Sequence, residues 1–133
     1  MQRRAARKTI EQMLINDFYT CHEIDIQDNV YNCRIVFNAD HSIFKGHFPG
    51  QPVVPGVCMM EIVKELLQTQ LDKPLMLRSA RNVKFLGFIT PDVTPGVKIT
   101  WKEHEGGYSV NASFNSETAA LFKLDGSYMP FAV

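Results

Sequence analysis

Apolar and polar residues alternate through most of this chain, and one long stretch breaks the rhythm. Residues 20–27 alternate through Ile24 and Ile26, and residues 30–38 through Tyr31, Cys33, Ile35 and Phe37. A period of two puts one face of a strand inward, so both segments are expected as strands, with Gln27-Asp28-Asn29 as the turn between them. The same reasoning predicts strands over 77–87, 97–104, 108–115 and 119–129. Val97, Ile99 and Trp101 alternate, as do Val110, Ala112 and Phe114, across a Glu105-Gly106-Gly107 hairpin signal. Pro91 to Gly96 reads as a loop.

Two segments carry helical spacing instead. Residues 3–15 place Ile10, Met13 and Leu14 on one side of a short amphipathic helix. Val57 to Leu71 has no Pro or Gly. Its first half is apolar on nearly every side and is expected to be buried all round, whereas Lys64, Glu65, Gln68, Thr69 and Gln70 are expected to emerge into solvent. Before it, Gly46, Pro49, Gly50, Pro52, Pro55 and Gly56 exclude helix or central strand and fix an irregular path. The order is helix, two strands, one long helix, four strands. An α+β domain spanning residues 1–133 follows, with a mostly antiparallel sheet covering one central helix.

Composition narrows the function. The formal net charge is zero, which argues against a general nucleic-acid binder. Arg3, Arg4, Arg7 and Lys8 are read as a solvated helical turn, because no apolar core and small-residue cleavage site follow them. No apolar run is long enough to insert in a membrane. Cys21, Cys33 and Cys58 form no CxxC pair, which fits reduced thiols in a cytoplasm, with Cys58 as packing in its apolar stretch.

The chemistry concentrates in His47 to Glu61, which reads HFPGQPVVPGVCMME. A histidine in a Gly/Pro-rich turn is followed fourteen positions later by a glutamate among Val57, Cys58, Met59, Met60, Ile62 and Val63. Imidazole changes charge near neutral pH, and an apolar setting is expected to keep a carboxyl protonated, so the two suit opposite acid/base roles. His41 and His47 match no common zinc spacing, and neither a metal nor a redox cofactor is implied. His22 and His104 are read as surface or packing residues. Arg78, Arg81 and Lys84 read as one solvated strand face, with a docking patch for an acidic carrier protein as the alternative.

The run Ile43-Phe44-Lys45-Gly46-His47-Phe48-Pro49-Gly50-Gln51-Pro52-Val53-Val54-Pro55-Gly56-Val57, followed by Glu61, resembles the signature of the hotdog-fold β-hydroxyacyl-acyl-carrier-protein dehydratases. The resemblance is dense over this segment, and Asn82-Val83-Lys84-Phe85 matches the strand after the helix more weakly. It implies a hotdog fold, an antiparallel sheet wrapped around one long central helix. It implies His47 as catalytic base and Glu61 as the acidic partner. Gly56 would donate its backbone N–H to a thioester carbonyl, and the Val53 carbonyl would orient the histidine ring. Phe48, Val57 and Met60 would line the acyl tunnel. The pair would come from two subunits, so a homodimer or higher homo-oligomer is expected, acting on an acyl chain carried by acyl carrier protein.

The chain departs from the family pattern at three places. Glu65 stands where a glutamine is usual, the strand usually rich in arginine reads Phe85-Leu86-Gly87-Phe88-Ile89-Thr90-Pro91, and the N-terminal segment lacks the common histidine. It is read as a divergent member that dehydrates 3-hydroxyacyl thioesters to trans-2-enoyl thioesters. The alternatives are a hotdog thioesterase, a dehydratase that also isomerises the double bond, or a non-catalytic acyl-carrier-binding subunit.

Overall fold

The computed structural model describes residues 13–46 and 50–131. Its elements, in chain order, are β1 Tyr19–Gln27, β2 Val30–Phe37, α1 Ser42–Gly46, α2 Gly56–Leu71, β3 Leu75–Phe85, β4 Gly96–His104, β5 Gly107–Asn115 and β6 Ala120–Pro130. The strands form one six-stranded sheet in the order β1-β2-β4-β5-β6-β3, antiparallel throughout, and this sheet with its long helix is the hotdog arrangement.

Local chemistry explains the joints. Asp28 and Asn29 both adopt positive φ, so the β1–β2 hairpin closes through a two-residue turn whose twist matches its strands. Helix α2 starts after Pro55 and ends at Asp72, a left-handed residue whose N–H returns to the Gln68 carbonyl. The Gln68 side chain accepts the Leu75 N–H at 2.8 Å and so ties the helix end to the start of β3.

The core lies between α2 and one face of the sheet. Ile62, Val63, Leu66 and Leu67 are buried in one cluster with Ile35, Ile99, Val110, Phe114, Phe122 and Leu124, whose alternation along their strands is the pattern expected of an inward face. Each such side chain contributes about 1.5–3 kcal/mol of transfer free energy. A second knot joins Phe18, Phe37 and Phe44, with ring centroids 5.1–6.4 Å apart.

The structure corrects several expectations. Ile24 and Ile26 do not face the core; both are exposed. Glu23 has positive φ and the register shifts by one residue between His22 and Asp25, so a β-bulge turns the following side chains over. The strand expected over 77–87 runs from Leu75 to Phe85, and Ser42–Gly46, to which no element was assigned, forms a short helix that ends at the first residue of the irregular stretch. Helix α2 is not buried all round, since Val57 is 73% exposed. Of the helix expected over 3–15, residues 3–12 lie outside the described residues, and 13–15 form bends and an isolated bridge from Ile15 to Tyr19.

Candidate active site

The N-terminus of α2 opens onto an apolar groove. A helix's first N–H groups have no carbonyl one turn before them, and Pro55 offers no side-chain cap, so the backbone at Gly56 presents donors where the helix dipole is positive. Position 56 must be small. A Cβ there would lie 2.5 Å from Cε1 of Phe85, whose ring packs over the helix start. Val53, Pro55, Gly56, Met59, Phe85 and Phe88 line a groove of about 410 Å³. A second groove of about 500 Å³ shares Val53 and Phe88 and continues past Pro52 and Pro91. Phe88, between them, is 81% exposed.

Glu61 lies five residues along the helix from Gly56, a rise of about 7.5 Å. Its side chain is 21% exposed, and Lys64 Nζ stands 3.2 Å from its Oε1. One turn further, Glu65 is fully buried, so the expectation that it emerges into solvent fails. Glu65 Oε2 accepts the Leu14 N–H at 2.8 Å, and Oε1 accepts the Ile15 N–H and the Tyr19 hydroxyl, both at 3.0 Å. Burial pushes the Glu65 carboxyl above its usual range. The Leu14 N–H pulls it back, the neighbouring Glu61 carboxyl pushes it up, and the Tyr19 hydroxyl pulls it down. Burial, and then Glu65, raise the Tyr19 phenol.

Residues 23–122 match the family described as ApeI-like, ApeI dehydratase. The chain belongs to the ApeI-like dehydratase family. This ApeI-like chain is 28% identical over 113 residues, 77% of either chain, to the 3-hydroxyacyl-acyl-carrier-protein dehydratase FabZ of Rickettsia felis. It is 34% identical over 65 residues to the FabZ of Clostridium acetobutylicum, a match that covers 44% of this chain and 45% of that protein. Among solved structures, the dehydratase heterocomplex ApeI:P from Xenorhabdus doucetiae superposes with a TM-score of 0.71 at 21% identity, over 84% of this chain and 97% of that one. The virulence protein Cj0977 from Campylobacter jejuni gives 0.69 at 10% identity, over 98% and 96%. At these identities the structural likeness shows the fold alone.

Within the ApeI-like frame, the residues expected from sequence fall into three groups. Gly56 and Val53 meet in the groove at the start of α2. Glu61, Met60 and Val57 lie on the same helix but outside that lining, with Val57 turned to the surface. His47 and Phe48 lie outside the described residues. Cys58 is buried, as expected of packing. Burial raises its thiol first, and the Glu61 and Glu65 carboxylates add to that. His41 is held by Asp17 at 3.0 Å and accepts the Ile43 N–H. His22 and His104 are exposed, and among the described residues no group of three or more His, Cys, Asp or Glu could hold a metal ion. Sequence reasoning missed the inward position of Glu65. The signal was available: residues four apart on a helix share a face, so an inward Glu61 implies an inward Glu65.

Proposed function

We propose that this protein dehydrates 3-hydroxyacyl thioesters of acyl carrier protein to trans-2-enoyl thioesters. The observation that carries the reading is a half-buried carboxyl, Glu61, a turn and a half along a helix whose N-terminus opens at Gly56 onto an apolar groove. Membership of a dehydratase family supports the reaction class, and the printed activity of the FabZ relatives supports the substrate class.

The chemistry divides among three groups. The α C–H bond breaks, and its proton passes to the His47 imidazole. The charge that develops on the thioester oxygen is met by the Gly56 N–H at the helix N-terminus, where losing one such donor costs about 3 kcal/mol. The C–O bond at C3 breaks as Glu61 gives its proton to the departing hydroxyl, which leaves as water, and the C2–C3 double bond forms. Both side chains then exchange protons with solvent and return to their starting states. The Val53 carbonyl orients the imidazole, and Phe48 lines the acyl path, joined by Met60 and Val57 once a second copy covers the exposed start of α2.

His47 and Glu61 work across an interface between two copies. Among the described residues strand β3 is an unpaired edge of the sheet, and Val57, Met76, Phe85, Leu86 and Phe88 expose apolar surface that a second copy would cover. The carrier protein delivers the acyl chain on its phosphopantetheine arm, so the protein needs no cofactor of its own. No described helix is long and apolar enough to cross a membrane, and the described cysteines are free, which supports a cytoplasmic setting.

The test is one assay with two signals, on purified protein and 3-hydroxyacyl-carrier-protein thioesters. Formation of the enoyl thioester is expected, and His47→Ala or Glu61→Gln should lower kcat by about 100-fold or more with unchanged circular dichroism. Full activity in both variants would overturn the site. Steady release of free thiol would make the protein a thioesterase, and carrier binding without turnover would make it a binding subunit.

A further inference from the structure

We infer that the sheet face turned away from α2 carries a binding site for a small oligophosphate anion, held by Lys84, Lys98 and Lys123. The site is separate from the groove at Gly56 and does not depend on the reaction proposed there.

The register of the sheet builds the site. Lys84 stands opposite Lys123, Lys123 opposite Ser113, and Ser113 opposite Lys98, so one row crosses β3, β6, β5 and β4. Successive residues of a strand point to opposite faces. In the neighbouring row Leu124, Ala112 and Ile99 are buried in the core. The lysine row therefore faces outward, and all three lysines are exposed. One step further, Asn82, Asp125, Asn111 and Thr100 form a second outward row in the same register. The two rows line one basin of about 520 Å³, within the range of small-molecule sites.

Charge gives the ligand class. Like charges directly opposite one another destabilise a strand pair, and Lys84 and Lys123 are such a pair. Lys98 adds a third ammonium two strands from Lys123, about 10 Å along the row. Among the described residues none of the three is ion-paired. The carboxylate in the basin, Asp125, is held by Arg81 at 3.3 Å. The adjoining trough on this face, which shares Lys98, is balanced in itself, because Arg34 Nε lies 3.7 Å from Glu23. Three uncompensated positive charges thus gather in one place on a chain whose formal net charge is zero. An anion touching all three relieves their repulsion. Lysine binds phosphate as a point charge, and Ser113, Thr100, Asn82 and Asn111 supply hydroxyl and amide donors around it. No aromatic residue among those described lines the basin, so a nucleotide base finds nothing to stack on. Two or three linked phosphates fit the row.

The lysines come from three strands, and only the register brings them together. Arg78, Arg81 and Lys84, read from sequence as one strand face, divide here, with Arg81 serving Asp125 and Lys84 joining the row.

The test uses the full-length protein and inorganic tripolyphosphate. Binding is followed by calorimetry at about 0.15 M salt, where exposed charges more than about 8 Å apart are largely screened. Saturable binding of one tripolyphosphate per chain is expected. Lys84→Gln, Lys98→Gln and Lys123→Gln should each weaken it by about tenfold or more, the loss of one charge-assisted contact. Lys102→Gln removes an exposed lysine outside the basin and should leave binding unchanged. Lys123→Gln also removes the like-charge pair, so without ligand it should melt no lower than the wild type, which separates lost binding from lost folding. Equal weakening in all four variants, or binding that vanishes at this salt, would mean diffuse surface charge and overturn the site. Adenosine triphosphate binding far more tightly than tripolyphosphate would overturn the ligand class. Binding of an acidic carrier protein through these lysines, with no tripolyphosphate bound, would make the face a protein-docking surface and overturn the inference too. Enoyl-thioester formation should be the same in all four variants as in the wild type.

Discussion

At Gly56 one methyl group decides whether α2 can begin beneath the Phe85 ring. A Cβ there would stand 2.5 Å from Cε1 and 2.8 Å from Cζ, so either the ring or the helix start must move. Gly56→Ala is expected to cost about 1–3 kcal/mol in urea unfolding, as over-packing does, and to lower turnover by shifting the backbone donors. Adding Phe85→Leu should restore most of the stability; if it restores none, the ring is not the constraint. This glycine was legible from its motif, but its partner was not, because nothing in the spacing of Gly56 and Phe85 says that a β3 residue covers the helix start. Glu65 was misplaced for a different reason. A single polar residue late in a helix is usually solvated, and only the donors at Leu14, Ile15 and Tyr19, some fifty positions away, make its burial affordable.

At the scale of elements, α2 holds the segment before β1 through that carboxyl. Asn16 at positive φ and the bonds from Asp17 N–H and Phe18 N–H to the Leu14 carbonyl bend residues 14–19 into a tight turn aimed at Glu65. Tyr19→Phe removes one of three donors to a buried acceptor and should destabilise the protein by about 1.5–3 kcal/mol, with faster amide exchange concentrated in 14–19. The same carboxyl gives stability a pH slope. Its folded value is raised above the ordinary 4.5, so above that pH the unfolded chain releases a proton that the folded chain keeps. Stability is then full below 4.5 and falls as pH rises toward the folded value, by at most about 1.4 kcal/mol per pH unit from this group. Urea midpoints measured across that window should show the decline in the wild type and a flatter line in Glu65→Gln. The six strands and the long helix were readable, in their order, because alternation and helical spacing are local; the short helix α1 was not foreseen. Edge strands were read less well. The bulge at Glu23 in β1, and those at Arg78 and Arg81 in β3, reset which side chains face inward, and a period of two cannot foresee an inserted residue.

At the scale of the molecule, the apolar surface around the start of α2 is where the proposed second copy would sit. Phe88→Glu should shift the proposed dimer toward monomer in sedimentation experiments and depress turnover in proportion, while the monomer keeps its fold. A wild-type protein that sediments as a monomer while fully active would remove the shared site. The sequence signalled such assembly only through the resemblance, since Phe85, Leu86 and Phe88 read locally as strand residues. Their exposure is visible only once β3 is placed at the rim. That rim also carries a safeguard. Arg78 and Arg81 are the two extra residues in β3 relative to β6, and both are exposed. Each interrupts the row of free backbone groups and sets a cation beside it. A straight, uncharged border offers any passing strand a template for stacking into fibrils; two bends and two cations make this one a far poorer template.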